Sequence, residues 1–345
     1  VAQLDEFSLI RALTDNRQSA AFLGACGVRV GVGDDAAVAE TTPGRELVLS
    51  CDTMVEDVHF KRVTMRDSDI GFKAMASNIS DMAAMGAVPR LALVALSVPA
   101  AMPLERLKAL YDGIYECAGR YRVAVVGGDT TSTRGALTLT VTMTGEVEKG
   151  RALLRSAARP GQVVFVTGYP GMSAAGLELL LGLDCPSDRW PEFAPELAPL
   201  VEAHCRPLPQ VEAGRLLLAS GNCGALNDIS DGLASEAWEI AEASGCGLLL
   251  DSRRIPVHGS LRAYAALTGK DPLDWMFYGG EDYQLIGTAD RKGFASLSEA
   301  LGKAGIPVRE IGTVSGSFVG VRALDGGGRD VPLAKKGYNH FREVD

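Results

Sequence analysis

The chain has 345 residues, too many for one small core, so two domains are the default expectation. Hydrophobic residues at 47% and charged residues at 22% give an ordinary globular balance that argues against disorder, and a formal charge of −9 excludes a basic stripe for nucleic acid. The longest apolar runs, such as 91–98, are far short of the ~20 residues of a membrane-spanning helix. The N-terminal stretch lacks a basic-then-apolar leader, and the seven cysteines form no CxxC pair, which together predict a cytoplasmic protein with reduced thiols.

Helices and strands alternate along the chain. Residues 7–24 read as one helix, followed by the glycine-rich 27–38 (GVRVGVGDDAAV) and a strand at 46–50. Over 67–86, Ile70, Ala74, Ile79, Met82 and Met85 recur near a 3.6-residue period, predicting a helix with Gly86 as its C-cap. A strand at 91–98, a helix at 103–121 and the strand 123–126, which ends in Gly127-Gly128-Asp129, come next. Residues 137–147 alternate threonine with apolar side chains, as a half-buried strand does. A basic stretch ending in Pro-Gly marks a seam at 150–161, dividing the chain into 1–150 and 151–345. Beyond it come a strand at 162–168, a helix at 173–182, a proline-rich loop at 184–199, a helix at 230–244, a strand at 247–250, the turn 279–283 before another strand, and a helix at 292–304. Both halves are mixed α/β.

The familiar phosphate-binding and hydrolase signatures are absent: no GxxxxGK[ST], no HRD with DFG, no GxSxG, no HExxH among the four histidines. In their place, acids follow glycines or predicted strand ends: Asp34-Asp35, Ser50-Cys51-Asp52-Thr53, Asp129, Asp228 and Asp231, and Glu281-Asp282. Strand ends are where α/β folds place ligand chemistry, and hard carboxylate oxygens suit Mg²⁺ held against a polyphosphate. On the helix 67–86, Ser77, Asn78 and Asp81 share one edge. Each cluster taken alone also reads as a turn or a helix cap: Asp228 or Ser230, for instance, could N-cap the helix that follows.

At these residues the sequence resembles the thiamine-monophosphate kinases, within a superfamily of ATP-binding enzymes that includes aminoimidazole ribonucleotide synthetase, selenophosphate synthetase and HypE. The likeness runs through EFSLI (6–10), GVGDDAAV (31–38), CDTMVEDVHF (51–60), KAMASNISDMAAMGAVP (73–89), GGDTT (127–131), GRALLR (150–155), VTGYPGMSAAGL (166–177), DISDGL (228–233), GGEDYQL (279–285) and KGYNHF (336–341). It implies phosphoryl transfer from ATP to thiamine monophosphate. It implies an α/β (α+β) fold of two domains, an N-terminal mixed sheet that pairs with that of a second subunit in a homodimer, and a C-terminal α/β domain. It also implies roles: Asp35, Ser50, Cys51, Asp52, Asp81, Asp129, Asp228 and Asp231 for several Mg²⁺ ions; Tyr111, Gly128, Asp129, Arg155 and Ser230 for ATP; His59, Glu281 and Tyr338 for thiamine monophosphate.

Three positions depart from the family pattern. Cys51 stands where threonine is usual, Asp57 where glycine or asparagine is usual, and Gln210 where arginine is common. A neutral thiol is a poor Mg²⁺ ligand, so any contact at residue 51 is expected from its backbone carbonyl. The nucleophile implied is a substrate phosphate oxygen, ionised at neutral pH, so no general base is expected. The rivals are the other superfamily activities, with Cys26 a faint echo of the reactive residue of selenophosphate synthetase, and a catalytically idle nucleotide-binding protein on the same fold.

Overall fold

The computed structural model describes residues 6–33, 36–183 and 185–337. They group into two compact units: those within 1–82, 87–150 and 183–191, and those within 83–86, 151–182 and 192–345. No described helix is long and apolar enough to cross a membrane.

The first unit runs α1 (Glu6–Thr14), α2 (Ala20–Ala25), β1 (Val28–Val30), β2 (Val38–Ala39), β3 (Arg45–Val55), α3 (Asp67–Ala84), β4 (Val88–Pro99), α4 (Leu104–Tyr121), β5 (Ala124–Thr133) and β6 (Thr138–Glu148). Its main sheet has the order β3-β6-β4-β5, with only the β4–β5 pair parallel. One face is closed. Ala92, Val94, Leu96 and Val98 of β4 and Leu139, Val141 and Met143 of β6 are buried, as are Ile70, Met75, Ile79 and Met82 of α3. Each large apolar side chain buried this way contributes roughly 1.5–3 kcal/mol. Helices α3 and α4 touch backbone to backbone: a Cβ on Gly71 would lie 1.9 Å from the Leu110 carbonyl oxygen, and one on Gly113 would lie 1.8 Å from that of Ser68. The other face is open. The register aligns Leu49, Thr144 and Leu91 in one row and Cys51, Thr142 and Leu93 in the next, and Leu47, Leu49 and Leu93 are 57%, 64% and 44% exposed.

The second unit runs β7 (Val163–Thr167), α5 (Met172–Leu183), α6 (Ala198–Cys205), α7 (Val211–Ser220), β8 (Cys223–Asp228), α8 (Leu233–Ser244), β9 (Gly247–Asp251), α9 (Gly259–Thr268), α10 (Pro272–Tyr278), β10 (Leu285–Ala289), α11 (Phe294–Lys303), β11 (Val308–Ser315), β12 (Gly320–Leu324) and β13 (Asp330–Pro332). The sheet order is β13-β12-β9-β11-β7-β10-β8, antiparallel throughout except β12–β9. Every residue of β7 is buried, which is why Val163–Val166 run apolar without alternation. Val164 and Val166 join the core with α5, α8, α9 and α10, while Phe165 stacks near Phe294 of α11.

Four sequence expectations are corrected. The single helix at 7–24 is two helices: Asn16 adopts φ +59, and Ser19 caps α2 by accepting a hydrogen bond from the Phe22 N–H. The strand at 46–50 continues to Val55, so Asp52 lies within β3 and not at its end, because the ladder with β6 extends to the pair Val55–Thr138. Likewise β5 runs on to Thr133, paired with Pro99, which places Asp129 inside the strand. The helix at 230–244 begins at Leu233: Gly232, at φ +117, is its N-cap residue, so neither Asp228 nor Ser230 caps it.

Candidate active site

In the first unit the polar edge of α3 meets β3. Asn78 is fully buried. Its Oδ1 accepts from the Ser50 hydroxyl at 3.3 Å and from the Asp52 N–H at 3.2 Å, while its Nδ2 donates to the Ala74 carbonyl and to Ser77 Oγ. The strand is thereby pinned at the residue whose carboxylate is in question. Burial raises the Asp52 carboxyl above its usual value, against the Ser77 hydroxyl and the nearby His59, which lower it. His59 Nδ1 accepts the Val55 N–H at 3.0 Å, so a neutral ring carries its proton on Nε2. Asp81, one turn beyond Asn78, is half-buried. Alternation along β3 sends the Cys51 side chain to the open face, where its sulfur accepts from the Thr142 hydroxyl; the thiol is not part of the Asp52 group. Asp57 sits at φ +66, the left-handed region that glycine and asparagine enter most easily, which accounts for the usual residues there.

A groove of about 1180 Å³ lies over the open face of this unit, walled by Ile10 and Thr14 of α1, Leu93, Tyr111 and the segment Gly128-Asp129. Gly128 permits no side chain: a Cβ there would lie 1.8 Å from the Val94 carbonyl oxygen. Tyr111 is 4% exposed, and burial pushes its phenol far up, so it acts as a neutral hydrogen-bonding group, with Thr130 as partner. Cys26 is buried, its thiol raised by burial, and bonds to the Arg122 carbonyl; it is a core residue.

In the second unit the acids converge. Asp228 ends β8 and is 4% exposed. The turn 279–283 is laced onto the segment after it: the Glu281 N–H donates to the Ser230 carbonyl at 2.6 Å and the Tyr283 N–H to the Ile229 carbonyl at 2.8 Å. Both Glu281 and Tyr283 hold positive φ, +65 and +50, a cost of order 1–3 kcal/mol each that surrounding contacts must impose. Asp282 lies between them. It is buried at the N-terminus of α5 and accepts the N–H groups of Gly171 and Ser173. Burial raises its carboxyl to about 7 in spite of these donors, with Glu281 adding to the rise. Glu281 lies 3.6 Å from Nδ1 of the buried His204, which is also 3.2 Å from Ser173 Oγ.

Arg155 reaches the same region. Its Nε donates to Asn227 Oδ1 at 2.9 Å, and its guanidinium pairs with Glu239 at 3.1 Å. Asn227, Glu236, Glu239, His204 and Ser173 contact these candidate residues or one another and were not singled out from the sequence. One signal was present for Glu236: it falls on the stripe of α8 formed by Leu233, Ala237, Ile240 and Ala241, all buried, where a charge needs a reason. Asp35 and Tyr338 lie outside the described residues. Among the described residues, no group of three or more His, Cys, Asp or Glu side chains is arranged to hold a metal ion.

Known proteins match this chain over nearly its whole length. A thiamine-monophosphate kinase of Bacillus subtilis (strain 168) is 41% identical over 339 residues, 98% of this chain and 100% of that protein. The chain belongs to the thiamine-monophosphate kinase family. The Escherichia coli (strain K12) member is 36% identical over 97% of the chain and 98% of its own length. The profiles of the AIR synthase related protein N-terminal and C-terminal domains match residues 33–147 and 159–323. A crystal structure of the family member from Stenotrophomonas maltophilia K279a superposes with a TM-score of 0.80 at 33% identity, covering 94% of this chain and 97% of that one. A complex described as AaThiL with AMPPCP and TMP gives 0.76 at 30%, covering 99% and 98%. E. coli HypE shares the fold, at 0.72 and 23% over 96% and 98%.

Proposed function

We propose that this chain transfers the γ-phosphoryl group of ATP directly to thiamine monophosphate in the cytoplasm, giving thiamine diphosphate and ADP. The observation that carries the reading is the 41% identity over 98% of the chain to a protein named for that reaction. The related complex with AMPPCP, an ATP analogue, and TMP supports ATP as the donor.

The residues fit Mg²⁺. Asp52 is a carboxyl raised by burial, which a cation would relieve, and its neighbours offer hydroxyl and carboxylate oxygens, the donors Mg²⁺ prefers. A cage of three protein carboxylates is not needed, since Mg²⁺ takes one or two and completes its shell with waters and phosphates. Asp52, Ser50, Asp81 and Asp129, with Asp35, are the ligands proposed from the first unit, and Asp228 and Asp231 from the second; the Cys51 thiol is not among them. When bound, the ion neutralises phosphate charge and polarises the transferred group.

Gly128 leaves backbone bare beside Asp129, and Tyr111 offers a neutral hydroxyl on the nucleotide groove. Arg155 and Ser230 supply positive charge and a donor for ATP phosphates. Glu281, with His59 and Tyr338, binds thiamine monophosphate, whose cationic ring suits a carboxylate and an aromatic face. No side chain need act as base: the acceptor phosphate has a second pKa of about 6 and is ionised at neutral pH. Catalysis is positioning and electrostatics. We also propose a homodimer formed through the open sheet face, on which Leu47 and Leu49 are exposed.

Incubation with MgATP and thiamine monophosphate tests the reaction. Thiamine diphosphate and ADP should appear in equal amounts; ADP without thiamine diphosphate would overturn it.

A further inference from the structure

We propose that Glu236 is a positioning residue that holds Ser230 and Asp231 directly, and Arg155 by way of Asn227, in one arrangement. The inference rests on the function proposed above, which gives those three residues their work on ATP phosphates and metal.

Glu236 is 1% exposed and lies on the apolar stripe of α8. A carboxyl there is costly unless hydrogen-bonded, and an aliphatic side chain would serve packing better. Its bonds run toward the site. Oε1 accepts the Ser230 hydroxyl at 3.3 Å and the Asp231 N–H at 3.1 Å; Oε2 accepts Asn227 Nδ2. The same Nδ2 lies 3.0 Å from Glu239 Oε2. The Asn227 amide can therefore sit only one way round, NH₂ toward the two glutamates and oxygen toward Arg155. The guanidinium is gripped twice, by Asn227 and by Glu239. One buried carboxyl thus aligns a cation on a flexible stem, a hydroxyl and a turn. Displacement of about 1 Å at such groups can cost a hundredfold in rate.

Three variants, compared by steady-state kinetics, calorimetry and thermal melting, decide the matter. Glu236→Ala should lower kcat by about tenfold or more, weaken binding of Mg·AMPPCP by calorimetry, and leave KM for thiamine monophosphate within about twofold. Glu236→Gln keeps an oxygen for Ser230 and Asp231 but turns an NH₂ toward Asn227, so its kcat should fall between wild type and Ala. Ile240→Ala, a fully buried core change on the same helix, should lower the melting temperature at near-normal kcat. Wild-type kcat in the Gln variant, or an equal kcat loss in Ile240→Ala at equal melting loss, overturns the proposal. If wild type forms no thiamine diphosphate, the functional reading fails, and Mg·AMPPCP binding by the Glu236 variants still decides the positioning role: unchanged affinity overturns it.

Discussion

Asp52 and Asp228 are the same residue type offered for the same task, yet the structure treats them oppositely. Asp52 sits in mid-strand, fixed by one amide from a neighbouring helix, with Asn78 holding its backbone and Ser77 its carboxyl. Asp228 ends a strand within a crowd of carboxyls, where Glu236 is pushed well above its usual value by burial first and then by Glu239 and Asp228. The first arrangement holds the carboxyl from a rigid strand and a rigid helix. The second sets carboxyls close together, with Asn227 and Arg155 bonded among them. Position of a ligand in a long β-ladder and position in a hydrogen-bonded loop are two ways of achieving preorganisation, and they should fail differently.

Asp52→Asn should break the first arrangement most. Turnover should fall on the order of 10²–10³-fold, the scale of losing a principal electrostatic partner. The melting temperature should hold or rise, since a buried carboxyl already raised by desolvation is replaced by a neutral isostere. Full activity at saturating Mg²⁺ would remove Asp52 from the site.

Leu49→Glu tests the open face of the first unit. A charge on a 64% exposed leucine leaves the fold intact but should convert a dimer to a monomer in sedimentation; an unchanged mass would refute pairing through this face.

Asp282 gives the second unit a pH signature. Its native carboxyl holds the proton up to about 7, against 3.8 as the ordinary value. The native state therefore binds more protons than the unfolded state between these limits, so this group's contribution to stability declines as pH rises from about 4 to about 7 and is flat above. Asp282→Asn should remove that slope in a series of thermal melts. It should also melt lower at acid pH, because its NH₂ faces a backbone N–H that the carboxyl accepted. A slope identical to wild type would show that the proton resides elsewhere.

The smallest effect is expected at Tyr111→Phe. Removing one hydroxyl should raise KM for ATP roughly three- to tenfold, the scale of a hydrogen bond, without changing kcat. A larger fall in kcat would mean that the phenol contributes in the transition state.

The local features of the candidate site were legible in sequence because they rest on local chemistry. Glycine before Asp129 marks a close backbone approach, and the Ser77–Asn78–Asp81 edge follows from helical periodicity. The end-to-end motifs carried the family, and the apolar run of β7 carried a buried strand. Length of the β-ladders was not legible: nothing local says that β3 passes through Asp52 to Val55, because pairing with β6 decides it. Nor was the start of α8, which Gly232 sets at φ +117. Glu236, Asn227 and His204 were hidden for a related reason. Their partners lie from five to seventy-seven residues away in sequence (Asp231 to Glu236, His204 to Glu281), and a hydrogen-bond chain of that span has no period. The sequence by itself determined which oxygen-bearing and which cationic side chains the protein carries, since that is chemistry of residue type. Only the tertiary structure decided which of them face a groove, which are buried and which are locked, since burial and hydrogen-bond partners depend on segments far apart in the chain.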